Sequence, residues 1–201
     1  FEAIDLGWLP DDPAILTKAL ASGIDQVDVL LTTGGAAGGD ADLLWHVLSQ
    51  PMNHQGMALP TEAHAWKLKL RPGRPLVIGR IGQTPVFGLP GNPVAALLSF
   101  LFIIDAALQK MAGITDPRPL PRIRARAGTA IRKRPGRQEL LRVTLCYHES
   151  DDLPVAMPAG SQSSAQLRSV AEADGIAVLP EDQGPVAEGD RLDVVPLHGL
   201  L

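Results

Sequence analysis

The pattern of apolar and polar positions divides the chain into an α/β half and a mostly β half. In the first half, Asp12 precedes an amphipathic segment, which predicts a helix that ends near Gly23. A continuous apolar run over residues 27–32 is typical of a strand buried in a parallel sheet. Two further strands and a buried helix are predicted at residues 76–81, 86–89 and 94–111.

From residue 117 the pattern changes to short alternating segments separated by Pro and Gly. Alternation of apolar and polar residues is typical of half-buried strands. We therefore expect an α/β domain over residues 1–116, with a partial, open, mostly parallel sheet and flanking helices, and a small, mostly β, barrel-like or sandwich-like domain over residues 117–201. The second domain is predicted to contain strands at residues 123–131, 139–147, 153–157, 176–179 and 192–195 and a short helix at residues 164–173.

The stretch Gly88-Leu89-Pro90-Gly91-Asn92-Pro93 joins a predicted strand to the predicted buried helix. Asn92 is a preferred N-cap residue, and Pro93 suits the first helical position because its missing N–H would have no partner there. An anion in front of this helix would meet free amides and the positive end of the helix dipole. Two interpretations stay open: a well-capped strand-to-helix turn and an anion-binding loop.

A second glycine-rich loop follows the strand predicted at residues 27–32, and a helix follows the loop. Open α/β sheets form ligand crevices with this arrangement of strand, glycine loop and helix. The loop matches neither a P-loop nor the GxGxxG pattern. Asp42, at its end, is either an N-cap or a carboxylate that faces the crevice. Asp11, just before the N-cap Asp12, either complements the helix dipole or is free to face a ligand.

The segment Trp66-Lys67-Leu68-Lys69-Leu70-Arg71 alternates apolar and basic residues. In a single strand, Lys67, Lys69 and Arg71 would share one face and the apolar residues the other. The three cations form either an anion-binding wall or a solvated strand face. Residues 49–65, which precede this segment, predict an irregular surface loop.

Composition narrows the classes of function. The net charge of −4 argues against a protein whose main task is to bind nucleic acid. The apolar run over residues 94–104 is interrupted by Ser99 and is shorter than the roughly 18 to 20 residues of a membrane-spanning helix, so we expect no membrane partner. Cys146 is single and lies in a predicted strand, which fits a reducing cytoplasm.

Three groups of residues, in matching order and with matching spacing apart from one insertion, closely resemble the MoeA/gephyrin family of molybdopterin molybdenumtransferases. They are Thr32-Thr33-Gly34-Gly35 with Gly39-Asp40-Ala41-Asp42, then Trp66-Lys67-Leu68 with residues 71–75, and residues 87–94. Ser161 and residues 167–180 resemble the C-terminal domain of that family. The resemblance implies a molybdopterin-binding α/β fold and an enzyme that inserts molybdate into adenylylated molybdopterin, with Mg²⁺, and releases AMP.

The resemblance also implies roles for particular residues. Asp11 and Asp42 match functional acids that would hold Mg²⁺ or order water. Lys67 and Arg71 match functional bases that would neutralise phosphate or molybdate. These four residues are the expected catalytic set, with Asp11 and Asp42 as the metal ligands. The expected pterin-binding residues are Gly34, Gly35, Gly39, Pro90, Gly91, Asn92 and Pro93.

Some positions depart from the family pattern. Ala37 lacks a hydroxyl that is common in this loop, and Arg71 replaces a usual Lys, which changes a point donor into a fork. The loop after the Asp42 helix is longer than is typical. The N-terminal portion of the family protein, which completes the site across a homodimer, has no counterpart here, so we expect a fragment that is inactive or nearly so alone. The alternatives are a molybdopterin adenylyltransferase and a gephyrin-like, non-catalytic scaffold.

Overall fold

The computed structural model describes residues 1–35, 43–148, 152–163 and 165–199. The chain forms two compact units: Phe1–Leu68 with Gly73–Asn92, and Lys69–Pro72 with Pro93–Leu201. These units divide the chain differently from the boundary expected after residue 116, because residues 69–72 and the helix that begins at Pro93 group with the second unit. The family-domain boundary stays a prediction.

Helix α1 (Pro13–Gly23) begins where the sequence predicts. The Asp12 carboxylate accepts hydrogen bonds from the amides of Ala14 and Ile15, at 2.8 and 3.0 Å. This is the N-cap arrangement that satisfies the free amides of the first turn. Leu16 and Leu20 lie on the buried side of the helix and pack into the core of the first unit.

The first unit contains a four-stranded sheet in the order β1-β7-β6-β4. In the described residues β1 pairs with β7 in parallel, and the β7–β6 and β6–β4 pairings are antiparallel. The predicted α/β class is therefore confirmed, and the sheet is mixed where a mostly parallel one was expected. The short turn between β6 and β7 permits only an antiparallel pair. The strands are β1 (Leu30–Thr33), β4 (Thr61–Lys67), β6 (Pro75–Ile81) and β7 (Thr84–Leu89).

Residues 49–65 are not the irregular loop that the sequence predicts. They contain a hairpin of β2 (Met52–His54) and β3 (Met57–Leu59) and run into β4. Met52 is 1% exposed and belongs to the core of the unit. The Asp25 carboxylate also contacts His54 Nε2 at 2.6 Å, which ties the hairpin to the loop after α1. The core joins α1, α2 (Leu43–Leu48), this hairpin and the sheet through Leu16, Leu20, Leu30, Leu44, Val47, Leu48, Met52, Val77, Ile81 and Val86.

The predicted helix after Asn92 is confirmed, with a change of winding in its middle. It consists of α3 (Pro93–Ser99), a π-helical turn (Phe100–Ile104) and α4 (Asp105–Met111). Over the described residues, Pro93–Met111 is the helix long and apolar enough to cross a membrane, by length and composition only, with a mean hydropathy of 1.7. Core helices of soluble proteins have the same properties, and 44% of this segment is buried inside the structure.

The second unit contains a five-stranded barrel, as expected from the alternating segments. Each barrel strand pairs with two others, so the sheet closes through the order β8-β10-β9-β11-β12 and back to β8. Closure leaves no unpaired edge within the barrel. Small and branched residues such as Ala125, Val143 and Val194 fill the interior. The strands are β8 (Ile123–Ala127), β9 (Gln138–Cys146), β10 (Val155–Pro158), β11 (Gly175–Leu179) and β12 (Arg191–Pro196).

Two short elements complete this unit. Strand β5 (Leu70–Arg71) pairs in parallel with the start of β9, although it lies far earlier in the chain. Helix α5 (Arg168–Ala171) is shorter than the helix predicted over residues 164–173. The barrel sheet therefore has six strands, with β5 added outside the closed set.

We expect Asp12→Ala to lower the free energy of unfolding by about 1 kcal/mol, because the amides of Ala14 and Ile15 lose their acceptor. Urea unfolding measures this change. Asp11→Ala is the matched control and is expected to change stability by less than about 0.5 kcal/mol. Equal losses in the two variants would contradict the assignment of Asp12 as the cap.

Candidate functional site

Two of the predicted loops leave the first sheet at the same edge. Strand β1 pairs with β7 in parallel, with Thr33 opposite Leu89, so the chain continues from both strands in the same direction. The Gly34 amide donates to the Leu89 carbonyl at 3.1 Å and extends this pairing into the loops. The structure therefore brings Gly34, the first residue after β1, together with the loop that contains Pro90 and Gly91.

Glycine is required at this edge for two physical reasons. Gly34 and Gly35 have φ angles of +91° and +68°, in the left-handed region that favours glycine. A Cβ built on Gly91 would lie 3.2 Å from the Gly34 Cα, a backbone atom that cannot rotate away. The two loops therefore approach each other as closely as they do because neither carries a side chain at these positions.

Two buried oxygen atoms of this region have no hydrogen-bond partner among the residues that the structure describes. They are Thr32 Oγ1, one residue before the end of β1, and Asn92 Oδ1, at the end of the second loop. The predicted side-chain N-cap at Asn92 is therefore wrong, because the oxygen that would accept the hydrogen bond accepts none. An unpaired buried acceptor costs roughly 1 to 3 kcal/mol, so each atom is suited to a ligand or water that donates a hydrogen bond. The sequence analysis named Thr32 only as part of a motif and missed its polar atom.

The other predicted residues of this site are placed as follows. Asp11 is exposed and lies just before the N-cap of α1; Pro90 is buried; and Pro93 is the first residue of α3. Gly39 and Asp42 lie outside the described residues. Within the described ranges, no group of three His, Cys, Asp or Glu side chains is placed to hold a metal ion.

The single strand predicted to carry Lys67, Lys69 and Arg71 is wrong. Strand β4 ends at Lys67, and the Leu68 amide donates to the Arg74 carbonyl at 2.7 Å, which closes a loop. The chain then forms β5 with Leu70 and Arg71, which groups with the second unit. Trp66, expected on the apolar face of that strand, is 53% exposed. Lys67 is therefore the last residue of β4, Arg71 lies in β5 and Lys69 lies in neither strand, so no single strand carries all three cations.

The three cations also differ in their ion pairs. Lys69 Nζ lies 2.5 Å from Glu181 Oε1, and Arg71 Nη1 lies 3.7 Å from Glu139 Oε2. Lys67 is exposed and has no ion pair in the part of the chain that the structure describes. Of the three, Lys67 is the one whose charge is not offset by a described carboxylate.

Arg142 is a buried cation that the sequence analysis missed. Arg142 is 1% exposed and lies on β9. The apolar residues on either side of it in the sequence give no indication of its role. Nη2 donates to the carbonyls of Ser161 and Ser163 at 3.0 and 3.3 Å. Burial lowers the pKa of this guanidinium. Arg142 thus orders the loop that contains Ser161, the serine that the family resemblance singles out.

We expect Gly91→Ala to lower the free energy of unfolding by about 1 to 3 kcal/mol, because the new Cβ would press on the Gly34 backbone. Differential scanning calorimetry or urea unfolding measures the loss. Gly184→Ala is the control: its Cβ would meet nothing within 4 Å, and the change is expected to be neutral or stabilising by less than about 1 kcal/mol. A neutral Gly91→Ala would show that the loops can separate freely.

Comparison with known proteins agrees with this geometry. Residues 1–110 match the model of a probable molybdopterin binding domain, and residues 124–197 match that of the MoeA C-terminal region (domain IV). The molybdopterin molybdenumtransferase of Haemophilus influenzae is 30% identical over 200 residues, which are 100% of this chain and 47% of that protein. Gephyrin of Dictyostelium discoideum is 26% identical over 94% of this chain and 28% of its own length.

A solved structure gives the same result. The crystal structure of the molybdopterin biosynthesis MoeA protein from Pyrococcus horikosii superposes with a TM-score of 0.72 at 27% identity, and the match covers 96% of this chain and 43% of that one. The chain thus spans less than half the length of each of these relatives. The resemblance found in the sequence is confirmed: the chain belongs to the MoeA family, with a probable molybdopterin binding domain followed by a MoeA C-terminal region.

Proposed function

We propose that this chain is part of a molybdopterin molybdenumtransferase, which inserts molybdate into adenylylated molybdopterin and releases AMP. The observation that carries the proposal is the close approach of Gly34 and Gly91 where two parallel strands end, together with the buried Thr32 Oγ1 and Asn92 Oδ1, which have no hydrogen-bond partner in the described part of the chain. The relative from Haemophilus influenzae bears the name of this activity. Because the chain spans less than half of that relative, the activity belongs to a longer protein than the segment described.

The glycine loops would bind the pterin. Pterins carry amino and ring N–H groups, and the unpaired oxygens of Thr32 and Asn92 are acceptors for such donors. Their burial makes each hydrogen bond worth more than an exposed one, because the alternative is an unsatisfied atom. The full set proposed to contact the pterin comprises Gly34, Gly35, Gly39, Pro90, Gly91, Asn92 and Pro93.

Two basic residues would stabilise the anionic groups of the reaction. Lys67 offers an exposed ammonium without a described ion-pair partner, suited to a phosphate or a molybdate oxygen. Arg71 offers a guanidinium whose contact with Glu139, at 3.7 Å, is too long for a hydrogen bond and leaves its donors available. Both would act by offsetting negative charge where molybdate replaces the adenylyl group.

Mg²⁺ belongs to the proposed reaction, with Asp11 and Asp42 as its proposed ligands. A magnesium ion takes carboxylate oxygens and substrate phosphates in octahedral geometry. The described residues supply Asp11 alone of this pair and do not form a metal site by themselves. We therefore assign the ion no step of the reaction, and the two carboxylates remain proposed catalytic residues.

The proposal extends to a cytoplasmic homodimer, since the family site is expected to be completed by a partner subunit. A gephyrin-like scaffold is the second candidate, favoured by the match to the gephyrin of Dictyostelium discoideum. A molybdopterin adenylyltransferase is less favoured, because the match to the MoeA C-terminal region follows the pterin-binding domain directly. A measurement of catalytic turnover distinguishes the enzyme from the non-catalytic scaffold.

The activity is tested with the full-length protein, adenylylated molybdopterin, molybdate and Mg²⁺, with AMP release as the readout. We expect AMP to appear only when molybdate is present. Release without molybdate would point to a simple hydrolase. No release from a folded full-length protein would contradict the proposal and favour the scaffold.

The two neighbouring lysines provide a sharper comparison. We expect Lys67→Ala to weaken binding of adenylylated molybdopterin by about tenfold or more, the effect of losing one charged hydrogen bond. Lys69→Ala, which removes a cation already paired with Glu181, is expected to change affinity by less than about threefold. Isothermal titration calorimetry measures both. Equal effects would mean that the two lysines act only as general surface charge.

A further inference from the structure

A basic loop in the second unit is not used by the proposed reaction. Its sequence, Arg132-Lys133-Arg134-Pro135-Gly136-Arg137, places four cations in six residues of a chain with a net charge of −4. The loop runs from the bridge between Ile131 and Val186 to the start of β9. A run of like charges often belongs to a segment without fixed structure, because the charges repel one another. Here the loop has a fixed backbone.

The loop is held in place by its own lysine. Lys133 is 3% exposed, and its Nζ donates to the carbonyls of Arg137 and Gln183, both at 3.0 Å. The carbonyls of Arg134 and Glu181 lie at 3.4 and 3.5 Å. The Gly136 amide also donates to the Glu181 carbonyl at 2.8 Å. The buried ammonium thus cross-links the loop to residues 181–183 and fixes its backbone.

The three arginines of the fixed loop are exposed. Arg132 and Arg134 have no ion-pair partner among the residues that the structure describes. Arg137 lies 3.6 Å from Glu139, the same carboxylate that lies 3.7 Å from Arg71 on the adjacent β5. Both distances exceed that of a hydrogen bond, so the guanidinium N–H groups keep donors available for a ligand.

Carboxylates offset only part of this charge. The segment and its contacts contain six cations, Lys69, Arg71, Arg132, Lys133, Arg134 and Arg137, and three acids, Glu139, Glu181 and Asp182. A fixed, cationic surface with forked donors is suited to phosphate, because guanidinium binds its oxygens in pairs. The overall negative charge of the chain disfavours a long polyanion, which would extend beyond this surface.

We propose that Arg132, Arg134 and Arg137 form a binding site for the phosphate groups of a small molecule. Lys133 orders the loop, and Glu139 sits between Arg71 and Arg137 and limits the affinity. The site does not depend on the proposed transfer reaction, so an absence of AMP release would leave it standing.

Isothermal titration of inorganic pyrophosphate into the 201-residue chain at low salt tests the proposal. We expect saturable binding that the double variant Arg132→Gln/Arg134→Gln weakens at least tenfold. Arg168→Gln is the control, since the side chain of Arg168 is 87% exposed and is paired with Glu172, the residue after α5; it is expected to change affinity less than twofold. No binding by the wild type, or equal losses in double variant and control, would overturn the proposal.

A gain of affinity provides the second test. Glu139→Gln removes the carboxylate between Arg71 and Arg137 and is expected to tighten pyrophosphate binding severalfold. A variant that merely disturbed the fold would bind more weakly, so weaker binding by a Glu139→Gln protein of native circular dichroism would contradict the model. A single-stranded oligonucleotide is titrated in parallel. Binding of the oligonucleotide without binding of pyrophosphate would assign the loop to a polymeric partner and overturn the small-molecule site.

Discussion

The parallel pairing of β1 with β7 is the constraint on which the candidate site depends. Parallel strands end at the same edge of a sheet, so the loops that follow them meet there without any further device. The hydrogen bond from Gly34 to Leu89 carries the pairing one residue into the loops. The absence of a side chain at Gly91 then lets the two backbones come within van der Waals distance. In an antiparallel pair these loops would follow opposite ends of the two strands.

The features that the sequence predicted correctly are those with local causes. Asp12 caps α1 through amides two and three residues away, and Pro93 begins a helix because its missing N–H needs no partner. The β2–β3 hairpin escaped prediction because its turn, Gln55-Gly56, is not the Asn-Gly pair that marks such turns. Its stability also depends on Asp25, which lies 29 residues before His54. The side-chain cap predicted from the local preference of Asn92 does not form, because Asn92 Oδ1 accepts no hydrogen bond from the described residues.

The basic segment shows how a distant contact overrides a local pattern. The alternation of apolar and basic residues from Trp66 to Arg71 predicted one strand. A strand of two residues such as β5 is too short to show any periodicity, so the sequence could not indicate it. Strand β4 ends at Lys67, and the residues after it contact distant parts of the chain. Leu70 and Arg71 pair with β9, and Lys69 contacts Glu181, 112 residues further along. As a result Lys69 is paired with Glu181, whereas Lys67 has no ion pair among the described residues. The candidate site could therefore be predicted in its residue types and not in the geometry of its charges.

The two units fix their loops by different physical means. In the first unit, the backbone conformation of Gly34 and its close approach to Gly91 suffice, and Thr32 Oγ1 and Asn92 Oδ1 have no hydrogen-bond partner among the described residues. In the second, Lys133 and Arg142 are buried cations whose hydrogen bonds go to backbone carbonyls. A buried charge is costly unless several polar groups surround it, so each cation specifies the loop conformation that supplies its carbonyls. Because the buried Lys133 fixes the backbone of its loop, the loop does not need its other cations for stability. The side chains of Arg132 and Arg134 therefore remain exposed at the surface.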